Sequence, residues 1–322
     1  MAGSIKHIKR RLKSVSSTAK LTRAMQMIAT VKMRQAVQQS RHAVPFASET
    51  VTFLTRFAHY MTQNPMNHPY LNHHQEVKKV LGVVFAANRG MCGSFHSLLE
   101  KKIDQVVKEP ARILHHPFDS SAYAKVKVPQ LDYDWVVIGK KGEQIIRRLG
   151  HRVIASFTKV SDSITASELD ALFKTIKDAF DTLEYQKVVI FYTEYVSTLK
   201  QVPMLRQLLP ISQEEVKRIA DDWKLNLHTF EPRDTNKTNY LIEPNRLQLV
   251  EMISLLLLKM TLYHALVQTK ASVESARMMA MKNATDAANE MHQVLNLVYN
   301  QLRQSKITSE IAEISAGRAA LE

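Results

Sequence analysis

Residues 246–316 read RLQLVEMISLLLLKMTLYHALVQTKASVESARMMAMKNATDAANEMHQVLNLVYNQLRQSKITSEIAEISA, without a proline or a glycine. Pro244 precedes this run and Gly317 follows it, the punctuation expected of a single helix. At the α-helical rise such a run spans roughly 105 Å, several times the length of an ordinary globular helix. A domain of this size cannot hide that rod, so most of it is expected to project. Within it Ala284, Ala288, Met291, Leu295, Val298, Leu302, Ser305, Ser309, Ala312 and Ala316 alternate steps of four and three. That alternation keeps one stripe toward one partner helix, as in a left-handed coiled coil. Its residues are small, so they allow close approach but bury little area. Upstream, Leu249, Ile253, Leu256, Met260, Tyr263 and Val267 repeat the alternation with larger side chains and predict a better buried half.

The partner is expected at the other end of the chain. Ser4 is placed to cap a helix that reaches at least Val44, because no proline or glycine intervenes. Ile5, Ile8, Leu12, Val15, Ala19 and Thr22 step by three and four, after which the phase shifts to Met25, Ile28 and Ala29. Pro45 is expected to end or kink this helix, with a continuation through Phe53, Phe57 and Tyr60. Two terminal helices with matching seams pair antiparallel, and the middle of the chain forms a separate body. The expected organisation is therefore 1–60 as the N-terminal coiled-coil helix, 61–245 as an α/β body with connectors, and 246–322 as the C-terminal coiled-coil helix.

Composition fits this plan. The 322 residues are 45% hydrophobic, ample for a core, and hold only eight glycines and ten prolines. The formal charge is +14, and its placement matters more than its size. Ten Lys or Arg residues precede Glu49, the first acidic residue, whereas the C-terminal helix is nearly charge-balanced. A basic helix of this kind meets nucleic acid, anionic lipid or an acidic protein surface, or is simply solvated. The single cysteine, Cys92, excludes an intramolecular disulfide and cysteine-based zinc sites. The best apolar run, residues 253–258, is too short to span a membrane. The acid-free start imitates a targeting peptide, but its heptads belong to the helix pairing.

In the middle, residues 61–76 read as a connector. Buried strands are expected at residues 79–87, 134–138, 153–157 and 187–192, with residues 196–202 pairing beside the last. Helices are expected through Leu98 and Val106, over 143–149 and over 167–180. Alternating strands and helices predict a mostly parallel, Rossmann-like sheet with helices on its faces. Residues 211–245 are polar and turn-rich.

Candidate chemistry is sparse. The glycine turns at 88–93 and 139–142 match neither the P-loop nor the dinucleotide fingerprint. His73–His74 and His115–His116 lack helical ligand spacing and read as solvated or packed histidines. Cys92 has no indicated base and so is no nucleophile. No catalytic constellation emerges, and a long stalk on an α/β body suggests a mechanical role.

Three blocks then carry a resemblance. The first is IKRRLKSV at residues 8–15 continuing to LTRAMQMIA at 21–29. The second is SVESARMMAMKNATD at 272–286, and the third is YNQLRQSKITSEI within 299–317. Weaker blocks are RGMCG at 89–93, IGKKG at 138–142 and LLPI at 208–211. Together, in this order and over nearly the whole chain, they resemble the γ subunit of the rotary F-type ATP synthases. Departures occur at Ala87-Asn88 in place of Ser-Asp, at residues 93–96 in place of Gly-Gly-x-Asn, at Ala287 in place of Asn, and across the divergent residues 214–230. The cysteine pair of redox-regulated chloroplast relatives is absent.

The resemblance implies a central rotor shaft of the proton-translocating F1Fo complex. Its terminal helices would turn inside a ring of three α and three β subunits, and its body would sit against the ε subunit and the c ring. It implies no cofactor, no metal and no catalytic residue. By motif position, Arg303, Gln304, Thr308 and Glu310 correspond to polar contacts with the ring. Arg277 corresponds to a second polar cluster, and Met25 faces the acidic lever loops of the β subunits. Arg89 and Cys92 belong to a further contact loop. The implied location is peripheral, at the cytoplasmic face of a bacterial inner membrane, without nucleic acid as a partner. The rival reading from charge alone is a basic coiled-coil protein that binds nucleic acid.

Overall fold

Apolar β-branched runs build a central sheet. In the computed structural model, which describes residues 2–63, 68–71, 77–110, 113, 131–158, 166–211, 218 and 245–319, this sheet has five strands. They are β1 (Lys79–Phe85), β2 (Asp132–Ile138), β3 (Arg152–Phe157), β4 (Lys187–Tyr195) and β5 (Gln201–Leu209). Their spatial order is β3-β2-β1-β4-β5. The first four are parallel and β5 closes one edge antiparallel. This is the doubly wound order, with its reversal between β1 and β4. The expected mostly parallel sheet is therefore present.

The helices of this body are α2 (Phe95–Lys108), α3 (Lys140–Arg148) and α4 (Ala166–Asp181). Because side chains alternate along a strand, β1 serves two cores at once. Val80 and Val84 join Leu99 and Ile103 of α2 and Ile145 and Ile146 of α3. Leu81, Val83 and Phe85 join Leu172, Ile176 and Phe180 of α4 on the other face. Gly82 is required where Trp135 of β2 lies over β1, since an added Cβ would come within 2.4 Å of the indole.

The terminal helices are α1 (Ala2–Gln63) and α5 (Arg246–Ala319), of 62 and 74 residues. Both outrun their expected bounds. Helix α1 begins at Ala2, so Ser4 lies inside it rather than capping it. It also continues through Pro45, whose missing amide removes one ladder bond and does not end the helix. Gly317 lies within α5, where an added Cβ would meet no atom of another element among the described residues. The expected pairing at residues 196–202 is shifted. Residues 196–200 form the turn, and the antiparallel partner of β4 is β5, with Thr193 facing Pro203 and Tyr195 facing Gln201.

The upstream half of α5 is a sheet-packing helix rather than a narrow seam. Leu258, Leu262, Ala265 and Leu266 belong to the sheet-face core, while Leu256 is exposed. A stripe this wide is the signature of a helix laid on a sheet. It also lets α5 match a membrane span in length and hydropathy, although no contiguous apolar run is that long.

The chain divides into two compact units. One comprises Met1–Lys32, Met91–Gly93 and Glu274–Glu322, and the other Met33–Gly90 and Ser94–Val273. The histidine pairs at 73–74 and 115–116, and nearly all of residues 214–230, lie outside the described residues.

Candidate functional site

The first unit is built by the two terminal helices. Along α1 the inward positions are Ile5, Ile8, Leu12, Val15, Ala19, Thr22, Gln26 and Ala29, all buried or half-buried. The three–four alternation never slips. It passes through Gln26, whose polarity disguises a seam position, while Ile28 is 56% exposed. On α5 the inward residues are Met281, Thr285, Ala288, His292, Leu295 and Leu302. Met291, expected inward, is exposed, and His292 takes its place. At the centre the Thr22 and Thr285 hydroxyls are 2.7 Å apart and buried. In the other unit Gln268 of α5 donates to Ser40 of α1 at 3.1 Å. As α1 advances from Thr22 to Ser40, α5 runs back from Thr285 to Gln268, so the helices are antiparallel.

A second stripe lies outside the seam. Leu21, Ala24, Ile28 and Val31 also step by three and four; Leu21, Ile28 and Val31 are each more than half exposed, and so is neighbouring Met27. Sequence reasoning misses this stripe, although its spacing is as regular as that of the seam. On α5, Met291, Val294 and Leu297 are likewise exposed. From Glu310 to Arg318 every residue is exposed, with Ile307, Ile311 and Ile314 repeating on one face. Ser305, Ala312 and Ala316, expected on the seam, are exposed too. Apolar stripes left open on this scale mark contact surfaces.

The sequence-derived site residues fall into separate groups. Arg303, Gln304, Thr308 and Glu310 are exposed on this open end of α5. The Thr308 hydroxyl donates to the Gln304 carbonyl at 3.0 Å, and Glu310 is 3.3 Å from Lys306. Met25 is half-buried beside the seam. Arg277 is paired with Glu274 one turn earlier, and both side chains are only 13% exposed. Arg89 is exposed and Cys92 is buried. Between them Met91 adopts φ 59°, and Gly93 adopts φ 56°. A positive φ at a non-glycine residue is uncommon.

The glycine turn at 139–142 has no room for phosphate. The first four amides of α3 are already taken. Lys140 N–H donates to Asn88 Oδ1 at 3.0 Å and Lys141 N–H to the Ala87 carbonyl at 3.1 Å. The Gly142 and Glu143 amides both donate to the Gly139 carbonyl. Gly139 itself sits at φ 93°, and a Cβ there would meet the Ala86 carbonyl oxygen at 2.3 Å. The Ala87-Asn88 departure thus leaves a well-capped helix. Among the described residues no cluster of histidine, cysteine or carboxylate side chains could hold a metal.

Two long antiparallel helices, a doubly wound domain and open apolar stripes define a protein built for contact with other subunits. The ATP synthase family model matches residues 4–321. The ATP synthase gamma chain of Cupriavidus necator is 32% identical over 322 residues and covers 100% of both chains. That of Coxiella burnetii is 32% identical, over 98% of this chain and 99% of its own. The chain belongs to the ATP synthase gamma-chain family. Among solved structures, the rotor of Euglena gracilis mitochondrial ATP synthase shares the fold at TM-score 0.61 and 15% identity, covering 95% of this chain and 100% of its own. The central stalk and c-ring structure from Tetrahymena thermophila contains a similar chain at TM-score 0.53 and 20% identity, covering 82% of this chain and 99% of its own.

Proposed function

We propose that this chain is the central rotor shaft of an F-type ATP synthase, a subunit that performs no bond chemistry itself. It couples rotation of a c ring to sequential conformational change, and hence ATP synthesis or hydrolysis, in a ring of α and β subunits. Its body meets the ε subunit and the c ring, and the complex holds it at the cytoplasmic face of a bacterial inner membrane. The observation that supports this most directly is the exposed end of α5, residues 310–318, preceded by Arg303 and Gln304. A helix end exposed at every residue from 310 to 318, in a family named for a multisubunit complex, is built to be surrounded. The seam there is weak and the surface mixed, as suits a shaft that turns in a sleeve without adhering to it. Met25, Arg277, Arg303, Gln304, Thr308 and Glu310 are assigned to the ring, and Arg89 and Cys92 to a loop contact. The nucleic-acid reading of α1 gains no support from the family match.

The test replaces Arg303 and Gln304 with Ala. Both side chains are exposed, so stability of the isolated subunit should move by only ~0.5 kcal/mol. Assembly with α and β subunits, or coupled ATP synthesis, should fall because polar partners lose their match. Normal assembly and synthesis in the double variant would reject these contacts.

A further inference from the structure

Strand β4 is longer than its parallel neighbour. Its pairing with β1 ends where Val84 faces Phe191, yet β4 runs on to Tyr195. Past Phe191 one edge of β4 has lost its strand, and its backbone groups need other partners. Side chains of α5 supply them. Thr193 N–H donates to the Thr269 hydroxyl at 3.4 Å, and the Ser272 hydroxyl donates to the Thr193 carbonyl at 3.0 Å. Tyr195 N–H donates to Gln268 Oε1 at 3.1 Å. On the β5 side Thr193 faces Pro203, which has no amide to offer.

Gln268 does more than complete the strand. Its Nε2 also donates to the Ser40 hydroxyl of α1 at 3.1 Å and lies 3.3 Å from the His264 ring. One side-chain amide therefore joins three elements: the overhanging end of β4, α5 that carries it, and α1. The apolar seat of α5 on the sheet, through Leu258, Leu262 and Leu266, resists separation. Burial is non-directional, however, and by itself prefers no particular line between two groups. Hydrogen bonds have a preferred line and length, so they oppose sliding or twisting of a helix.

We infer that Gln268, with Ser40 and Ser272, is a latch that fixes both long helices against twist at the end of β4. Gln268 is a positioning residue. It holds the helices in one rotational register on the sheet, so that turning the sheet turns both helices together. This rests on the rotor reading and adds to it the place where torque enters the helices.

The test uses the whole complex in sealed vesicles, with this chain carrying Gln268→Met, Ser40→Ala or Ser40→Thr. Two quantities are measured: ATP hydrolysis with the gradient collapsed, and proton pumping per ATP hydrolysed against a growing gradient. The latch predicts that unloaded hydrolysis stays within about twofold for every variant, while pumping per ATP under load falls about fivefold in Gln268→Met and Ser40→Ala. Ser40→Thr keeps the hydroxyl and should restore pumping. Pumping that is unchanged, or that falls only in proportion to hydrolysis, overturns the latch. Ser40→Ala decides the matter if Gln268→Met fails to assemble. A wild-type chain that neither assembles with α and β subunits nor couples at all sinks the rotor reading instead, which separates the two failures.

Discussion

At Lys187 the chain buries a cation at the start of a strand. Its Nζ donates to the Ile113 carbonyl at 2.7 Å, and burial pushes its pKa down to about 8 from the ordinary 10.5. A depressed pKa means the unfolded chain holds the proton more tightly than the folded one. The folded state therefore gains stability as pH rises from about 8 toward 10.5 and loses it as pH falls back through 8. The gain attributable to this group is up to about 3 kcal/mol. Lys187→Met should remove that rise, as read from denaturant midpoints of the two proteins at pH 7.5 and 10. Equal slopes in both would refute the assignment. The sequence marks residues 187–192 as a buried strand but does not show that the lysine itself is inside. Burial of a single polar residue depends on what covers the strand end, and here that cover includes Ile113, far away in sequence. Gly82 is a similar case, since only the Trp135 ring above it explains the glycine.

Among the elements, the terminal helices are the most legible. Their seams stand in the sequence as a three–four alternation, and Ile5, Ile8, Leu12, Val15, Ala19 and Thr22 are all inward as expected. Errors arise where identity and position disagree. Gln26 and His292 are polar yet inward, and Ile28 and Met291 are apolar yet exposed. Periodicity assigns a face by composition, so a chain with two apolar stripes gives two answers. The β4–β5 hairpin is displaced for a related reason: residues 196–200 form the turn, so only Gln201 and Val202 of the expected 196–202 join the strand, which runs on to Leu209. The helix pairing has a direct test. Thr22→Cys with Thr285→Cys places two thiols where buried hydroxyls now sit 2.7 Å apart. Mild oxidation should join them within one chain, seen as a linked peptide after proteolysis. Links found only between chains would exclude the intramolecular pair.

For the molecule as a whole, charge placement is the feature that separates the functional readings. Arg10, Arg11, Lys13, Lys20 and Arg23 are all exposed on α1, and no acidic residue precedes Glu49. An acidic protein surface around the helix would be steered by this charge without being locked, because exposed pairs contribute only ~0–1 kcal/mol each. Phosphate contacts would instead give affinity that falls steeply with salt. Lys13→Gln, Lys20→Gln and Arg23→Gln together should lower coupled turnover of the reconstituted complex and leave nucleic-acid binding negligible at physiological salt. Tight nucleic-acid binding that the triple variant abolishes, with coupling unchanged, would reverse the functional reading.

The two terminal helices, their antiparallel pairing, the parallel strands of the body and the family to which the chain belongs are all legible in the residues alone. These are local or periodic properties, written in consecutive residues and in the spacing of apolar side chains. The inward placement of Gln26 and His292, the open stripe of Leu21, Ile28 and Val31, and the tie that Gln268 makes between β4 and both helices emerge only in three dimensions. Each of those depends on which residue from a distant part of the chain arrives opposite, and neither composition nor spacing encodes that meeting.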